Sequence, residues 1–178
     1  MAVRLGFRDD KGKPVKIYLV NAYQPYDAGT PKSSKMVDEY YDRLRKYLAA
    51  RRHDELLIMA ADVNASIGTS QGPDDAVTGK FGNAHINDTG RRLRDFSEMH
   101  ILFTPSTFFE KTEYNTWKHM RNNRGYQIDH FLVMQRDLKR VANAGVGRKD
   151  SKMLKSDDRT LFMHFSIAKS LSRKSNRR

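Results

Sequence analysis

Asp62 and Asn64 sit two residues apart where the apolar run Glu55-Leu56-Leu57-Ile58-Met59-Ala60-Ala61 stops and Ala65-Ser66-Ile67-Gly68 begins. An apolar run without polar alternation reads as a strand buried on both faces. A carboxylate and a carboxamide delivered from the end of such a strand into a loop stand where α/β proteins place their chemistry. The Asp can orient or deprotonate water, and the amide can donate to an anionic oxygen. The same Asp-x-Asn pattern also ends strands as an Asx turn with no chemistry attached, and the pair alone does not separate the two readings. The chain contains no cysteine, so thiolate nucleophiles and disulfides are excluded. Any metal would be held by oxygen, with imidazole as the nitrogen ligand, which favours a hard ion such as Mg²⁺.

The elements that must position these groups follow from periodicity. Val3–Phe7 and Val15–Tyr23 read as strands joined through the turn cluster Asp9–Pro14, a hairpin. Ser33 or Ser34 is expected to cap a helix with Val37, Tyr40, Tyr41, Leu44, Tyr47 and Leu48 on one face. Asp38 and Glu39 would then lie in its first turn and Arg51 and Arg52 in its last. Strand, helix and the Glu55–Ala61 strand in that order form a crossover unit. Thr69–Asp88 is rich in Gly, Asp and Asn and reads as a long surface loop. Asn87 or Asp88 caps a second helix bearing Leu93, Phe96 and Met99, and Gly90 in its first turn marks a close approach. Beyond it the pieces shorten: strands over Ser106–Phe109, Asn115–Lys118, Gln127–Met134 and Val141–Val146, with a turn over Arg121–Gly125. Leu161–Ile167 alternates and is expected to close the core.

Thirty-three Lys and Arg against twenty-one Asp and Glu leave a net charge of +12 in 178 residues. That balance implies a polyanionic partner, with nucleic acid the first candidate and plain surface solvation the alternative. Arg91, Arg92 and Arg94 cluster on the second helix, Arg121 and Arg124 bracket a turn, and Lys169, Arg173, Lys174, Arg177 and Arg178 make a basic tail. No basic helix has a wide apolar face, and no apolar run reaches the length of a membrane span. The first residues carry no apolar leader, so the compartment stays open.

Taken together, these stretches resemble the endonuclease/exonuclease/phosphatase superfamily. They are most similar to the apurinic-like endonuclease of LINE-type (non-LTR) retrotransposons and the craniofacial-development-protein-2-like sequences. Val20-Asn21-Ala22-Tyr23-Gln24-Pro25 resembles the family's strand ending in Tyr, and Ala61-Asp62-Val63-Asn64-Ala65 its Gly-Asp-x-Asn-Ala motif with Ala61 for Gly. Val77-Thr78-Gly79-Lys80-Phe81-Gly82 and Asn87 through Phe96 resemble the signature of the retrotransposon branch, and Thr116-Trp117 and Gln127-Ile128-Asp129-His130 also match. The resemblance implies a metal-dependent phosphodiesterase fold, with Asp62 orienting water and Asn64 and Tyr23 touching the phosphate. It also implies that Asp129 supports the family's catalytic His and that Asp157 lies near a metal.

Two departures decide the expected function. Ser156-Asp157-Asp158-Arg159 stands where the family has Ser-Asp-His, and Asp158 can neither donate as an imidazolium does nor tolerate a neighbouring phosphate. The family's early strands, with their Asn and metal-binding Glu, have no counterpart among these residues. The expected fold is therefore α/β, the C-terminal part of a two-sheet sandwich flanked by helices (DNase I-like), over residues 1–168, followed by a basic tail over 169–178. The leading expectation for function is a degenerate, non-cutting relative that binds nucleic acid or a ribonucleoprotein, with a protein partner covering the exposed half. The alternatives are an active Mg²⁺-dependent endonuclease completed by another segment, with Asp158 still in the site, and a structural module of a larger complex.

Overall fold

The apolar run forms a central strand, β3 (Glu55–Asp62), within a five-stranded sheet whose other members are β1 (Ala2–Arg8), β2 (Pro14–Tyr23), β7 (Asp129–Met134) and β4 (Leu102–Phe103). Their order is β1-β2-β3-β7-β4. The computed structural model describes residues 1–70, 72, 75, 77–147 and 159–167. β1 and β2 form the expected hairpin, and the Asp9 carboxylate turns it by accepting from the backbone N–H groups of Lys11 (3.0 Å) and Lys13 (2.8 Å). β2 and β3 run parallel, with α1 (Pro31–Ala50) as the crossover between them. β7 pairs antiparallel to β3 on the other side.

α1 starts one turn earlier than its apolar spacing suggests. Its cap is Thr30, with Pro31 at the first helical position, and Ser33 closes the capping box by bonding back to Thr30. Pro at that position costs no hydrogen bond, because the first N–H groups of a helix have no intrahelical partner. Asp38 and Glu39 consequently fall beyond the first turn, and Arg51 is the C-cap rather than part of the last turn. α2 (Asp88–Met99) is capped by Asn87, whose side chain accepts from the Gly90 N–H at 2.8 Å.

The two helices cover one face of the sheet. Tyr40, Tyr41 and Leu44 of α1 meet Leu93 and Phe96 of α2 above Tyr18, Val20, Leu57, Met59 and Leu132. Tyr41 sits 5.1 Å from Phe96 between ring centroids. Gly90 is required here for space, since a Cβ on it would fall 1.9 Å from the Ser66 carbonyl oxygen.

The opposite face carries Leu19, Ile58 and Phe131, all half-buried, and Val3, Leu5 and Phe7, which are exposed. A separate two-stranded sheet, β8 (Val141–Val146) with β9 (Leu161–Phe165), packs there through Val141, Ala144, Met163 and Phe165 against Val133. β9 thus covers a corner rather than closing the main core, and none of its residues is fully buried.

Two other expectations change. Pro105–Phe108 is a 3-10 turn, not a strand, because Pro105 opens it and the Thr107 hydroxyl bonds back to the Thr104 carbonyl at 2.7 Å. The stretch from Thr69 is anchored rather than superficial: Val77 and Thr78 are buried, and the N–H of Phe81 donates to the Thr107 carbonyl (3.0 Å).

Candidate functional site

Three strand ends converge at one edge of the sheet. Tyr23 ends β2 opposite Asp62 in the parallel register, and Asp62 ends β3 opposite Asp129 in the antiparallel register. Paired residues point to the same face, so a phenol and two carboxylates project together. Tyr23 is 65% exposed and both carboxylates are half-buried. His130, next in sequence to Asp129, points the other way: it is fully buried, with Nε2 2.9 Å from the Ala65 carbonyl. A carbonyl only accepts, so Nε2 carries the proton. Burial lowers the His130 pKa to about 4, which leaves a neutral ring that serves the core.

Local geometry fixes each of these groups. The Asp62 carboxylate accepts from the Asn64 N–H at 3.1 Å, an Asx turn that holds Asn64 at a φ of 45°. Asn adopts that region more readily than most side chains. Turn and cleft residue are therefore the same feature. The Asn64 amide donates to the Gln24 carbonyl (2.9 Å), tying the ends of β2 and β3 together. The Asn87 side chain accepts from Ser66 N–H (3.0 Å) and the Thr89 hydroxyl donates to the Asn64 carbonyl (3.1 Å), so the start of α2 sets the loop after Asp62. On the far side the buried Thr116 hydroxyl oxygen accepts from the N–H groups of Ile128 (3.0 Å) and Asp129 (3.1 Å).

Tyr23, Asp62, Asn64, Ser66 and Asn87 line one wall of a cleft of about 590 Å³, whereas Asp129 lines a neighbouring hollow with Tyr23, Asp62 and Phe131. The other wall of the cleft is aromatic: Tyr26, Trp117, His119 and Tyr126. Trp117 and Tyr126 face each other across a short hairpin, β5 (Trp117–Lys118) and β6 (Gly125–Tyr126), with ring centroids 5.7 Å apart. The Arg124 guanidinium lies 5.5 Å from the Tyr126 ring centre, and Arg121 is exposed on the same hairpin loop. Met120 at its tip is 85% exposed. Tyr26, His119 and Tyr126 carry no sequence signal that marks them as site residues, and Asn87 is expected only as a helix cap and part of the signature. Folding Thr116-Trp117 back through the Arg121–Gly125 turn would have brought Tyr126 onto Trp117.

The second helix contributes less charge to the surface than its three arginines suggest. Arg94 turns inward to an ion pair with Asp75 and donates to the carbonyls of Ile67 (2.9 Å) and Thr69 (3.2 Å), leaving its side chain 12% exposed. Arg92 pairs with Asp38 and stacks over Tyr41 at 4.7 Å from the ring centre. Arg91 pairs with Asp88 (2.7 Å) on the open surface. Asp157, Asp158, Lys169, Arg173, Lys174, Arg177 and Arg178 lie outside the described residues.

The Mg²⁺ that the resemblance implies takes octahedral oxygen ligation, commonly one or two carboxylates with waters and substrate oxygens. Among the described residues no three His, Asp or Glu side chains gather as a cation site. Asp62 and Asp129 are the carboxylates at this end of the sheet that such an ion would meet.

No family model matches the chain. Its sequence is 28% identical over 137 residues to craniofacial development protein 2 of Bos taurus, covering 75% of this chain and 22% of that protein. The chain therefore spans under a quarter of that relative's length. Its backbone matches a 3'-5' exonuclease (NExo) from Neisseria meningitidis with a TM-score of 0.62 at 15% identity, over 85% of this chain and 61% of that one. The fold is DNase I-like. The endonuclease domain of TRAS1, a telomere-specific non-LTR retrotransposon, shares it with a TM-score of 0.56 at 13% identity, over 94% of this chain and 64% of that domain.

Proposed function

We propose that this domain binds nucleic acid at the Asp62–Asn64 cleft without cutting it on its own. The observation that carries the reading is the pairing of the two walls: phosphate-compatible polar groups at the strand ends face an aromatic hairpin edged by Arg121 and Arg124. A phosphodiester fits the first wall, through donors such as Tyr23. A base fits the second, since stacking on aromatic side chains contributes about 1–3 kcal/mol per base without demanding sequence. The DNase I-like fold supports a nucleic-acid ligand, and NExo, a 3' phosphatase of this fold, has been seen bound to product DNA hairpin.

The absence of cutting rests on chemistry rather than on fold. Asp158 stands where the resembling family has His. In the position that the resemblance implies, a carboxylate would add negative charge beside a phosphate whose transition state gathers more, and loss of such groups costs about 10²-fold or more each. The net charge of +12 supports an electrostatic, salt-dependent interaction to which the basic tail contributes.

Trp117 is the sole tryptophan of the chain, so its fluorescence reports on the cleft directly. Adding single-stranded or duplex DNA at low salt is expected to quench it saturably. The double variant Arg121→Ala, Arg124→Ala is expected to weaken that titration and to reduce the dependence of log affinity on log salt by roughly 0.9 per lost phosphate contact on duplex. Binding without any change in Trp117 emission would place the nucleic acid elsewhere and overturn the cleft assignment.

A further inference from the structure

We propose that two copies of this chain join edge to edge through β1, about a two-fold axis at Leu5, to make a continuous sheet. β1 is the outer strand of the five-stranded sheet, and no described strand pairs with its free edge. Met1 exchanges hydrogen bonds with Asn21 (2.9 Å each), and the Asp9 N–H donates to the Lys13 carbonyl (2.9 Å). Alternation then turns the backbone N–H and C=O groups of Val3, Leu5 and Phe7 toward β2, and those of Ala2, Arg4, Gly6 and Arg8 outward. β1 contains no proline, so every outward N–H can donate to a further strand.

Of the two-fold registers, the one centred on Leu5 pairs the whole of β1. An antiparallel strand pairing with itself about a two-fold must match residues that share a face. Centred on Leu5, the pairing sets Leu5 opposite its own copy and Val3 opposite Phe7, while Arg4 meets Gly6 and Arg8 meets Ala2. Every apolar residue then meets an apolar one and no like charges are opposed, which are the pairings that stabilise sheets. Centring on Arg4 sets two arginines face to face, and centring on Gly6 sets Arg4 against Arg8. The apolar row is waiting: Val3, Leu5 and Phe7 are 41%, 37% and 43% exposed. Arginine on an edge strand ordinarily discourages such pairing. Here Arg4 is committed to Glu55 (2.7 Å) and the Ala50 carbonyl (2.6 Å), and Arg8 to the Gly12 carbonyl (2.8 Å).

Long-range repulsion between two copies of net charge +12 opposes this association. Dimerisation therefore strengthens as salt is raised, the reverse of nucleic-acid binding. In sedimentation equilibrium the full chain is expected to form a dimer, and Leu5→Lys, which opposes two lysines across the axis, to weaken it by roughly tenfold or more, with a melting temperature equal to the parent's at dilutions where both are monomeric. Cysteine scanning fixes the register, because the chain has no cysteine of its own. Pairs at the new seam that involve Val3, Leu5 or Phe7 are of the non-hydrogen-bonded kind, with Cα atoms about 4.5 Å apart, which suits a disulfide. Under diamide, Leu5→Cys is expected to cross-link to itself. Val3→Cys and Phe7→Cys are expected to cross-link with each other when mixed and not separately. A monomer at every concentration and salt, or self-cross-linking of Val3→Cys as complete as that of Leu5→Cys, would overturn the proposal.

Discussion

Asp62 on β3 and Asp129 on β7 are partners in the antiparallel register, so two carboxylates leave the same face of the sheet beside Tyr23. Under the proposed function, this pair would repel a phosphate ligand. Asp62→Asn or Asp129→Asn is therefore expected to raise affinity for duplex DNA a few-fold in EDTA, measured by fluorescence anisotropy at fixed salt. Asn keeps the shape and removes the charge. A loss of affinity, restored by a divalent ion only in the parent chain, would mean that the carboxylates act through a cation.

Arg94 supports the fold and is expected to contribute nothing to the ligand. Its partner Asp75 has a side chain 7% exposed, and removing one member of a buried pair leaves the other charged and desolvated. Arg94→Met is predicted to cost about 3–5 kcal/mol in urea denaturation. Adding Asp75→Asn should recover part of that cost. Affinity for DNA, measured where the variant is folded, should equal the parent's, unlike that of Arg121→Ala.

The neutral His130 makes stability depend on acid. An imidazole ordinarily titrates near 6.5, and burial holds this one to about 4. Between those values the unfolded chain binds the extra proton, so stability is complete above 6.5 and falls as the pH drops toward 4, by at most about 1.4 kcal/mol per pH unit. Denaturation midpoints across that window should show the decline. His130→Gln should flatten the part that the parent owes to imidazole, and equal slopes in both would remove the assignment.

Much of this arrangement is legible in the residues because it is local. The apolar run that becomes β3, the hairpin turned by Asp9, the crossover through α1, and the Asn87 cap all follow from spacing within a few residues. So does the close approach at Gly90. What is not legible is long-range. Nothing near Arg94 announces that Asp75, carried by a loop, will draw it inward, and helical spacing alone presents it as one of three equivalent arginines. The start of α1 is missed because Ser33 has a capping side chain and Pro31 ordinarily reads as a breaker, whereas Thr30 and Pro31 together begin the helix. Ser106–Phe109 has β-prone residues, but Pro105 and the Thr107 hydroxyl impose a 3-10 turn. The aromatic wall of the cleft depends on Trp117 and Tyr126 meeting across a hairpin, which composition does not show. Asp62 illustrates a different lesson: the Asx turn is present, and it is also what orients Asn64 in the cleft.

The central claim, binding without cutting, is tested most directly on supercoiled plasmid. The purified chain is incubated with Mg²⁺ or Mn²⁺ at a salt concentration where anisotropy shows the DNA to be bound, beside an Asp62→Ala variant as control. The account predicts a retarded but fully supercoiled plasmid with both proteins. Metal-dependent nicking by the parent chain that disappears in Asp62→Ala would contradict it and make the domain a working nuclease.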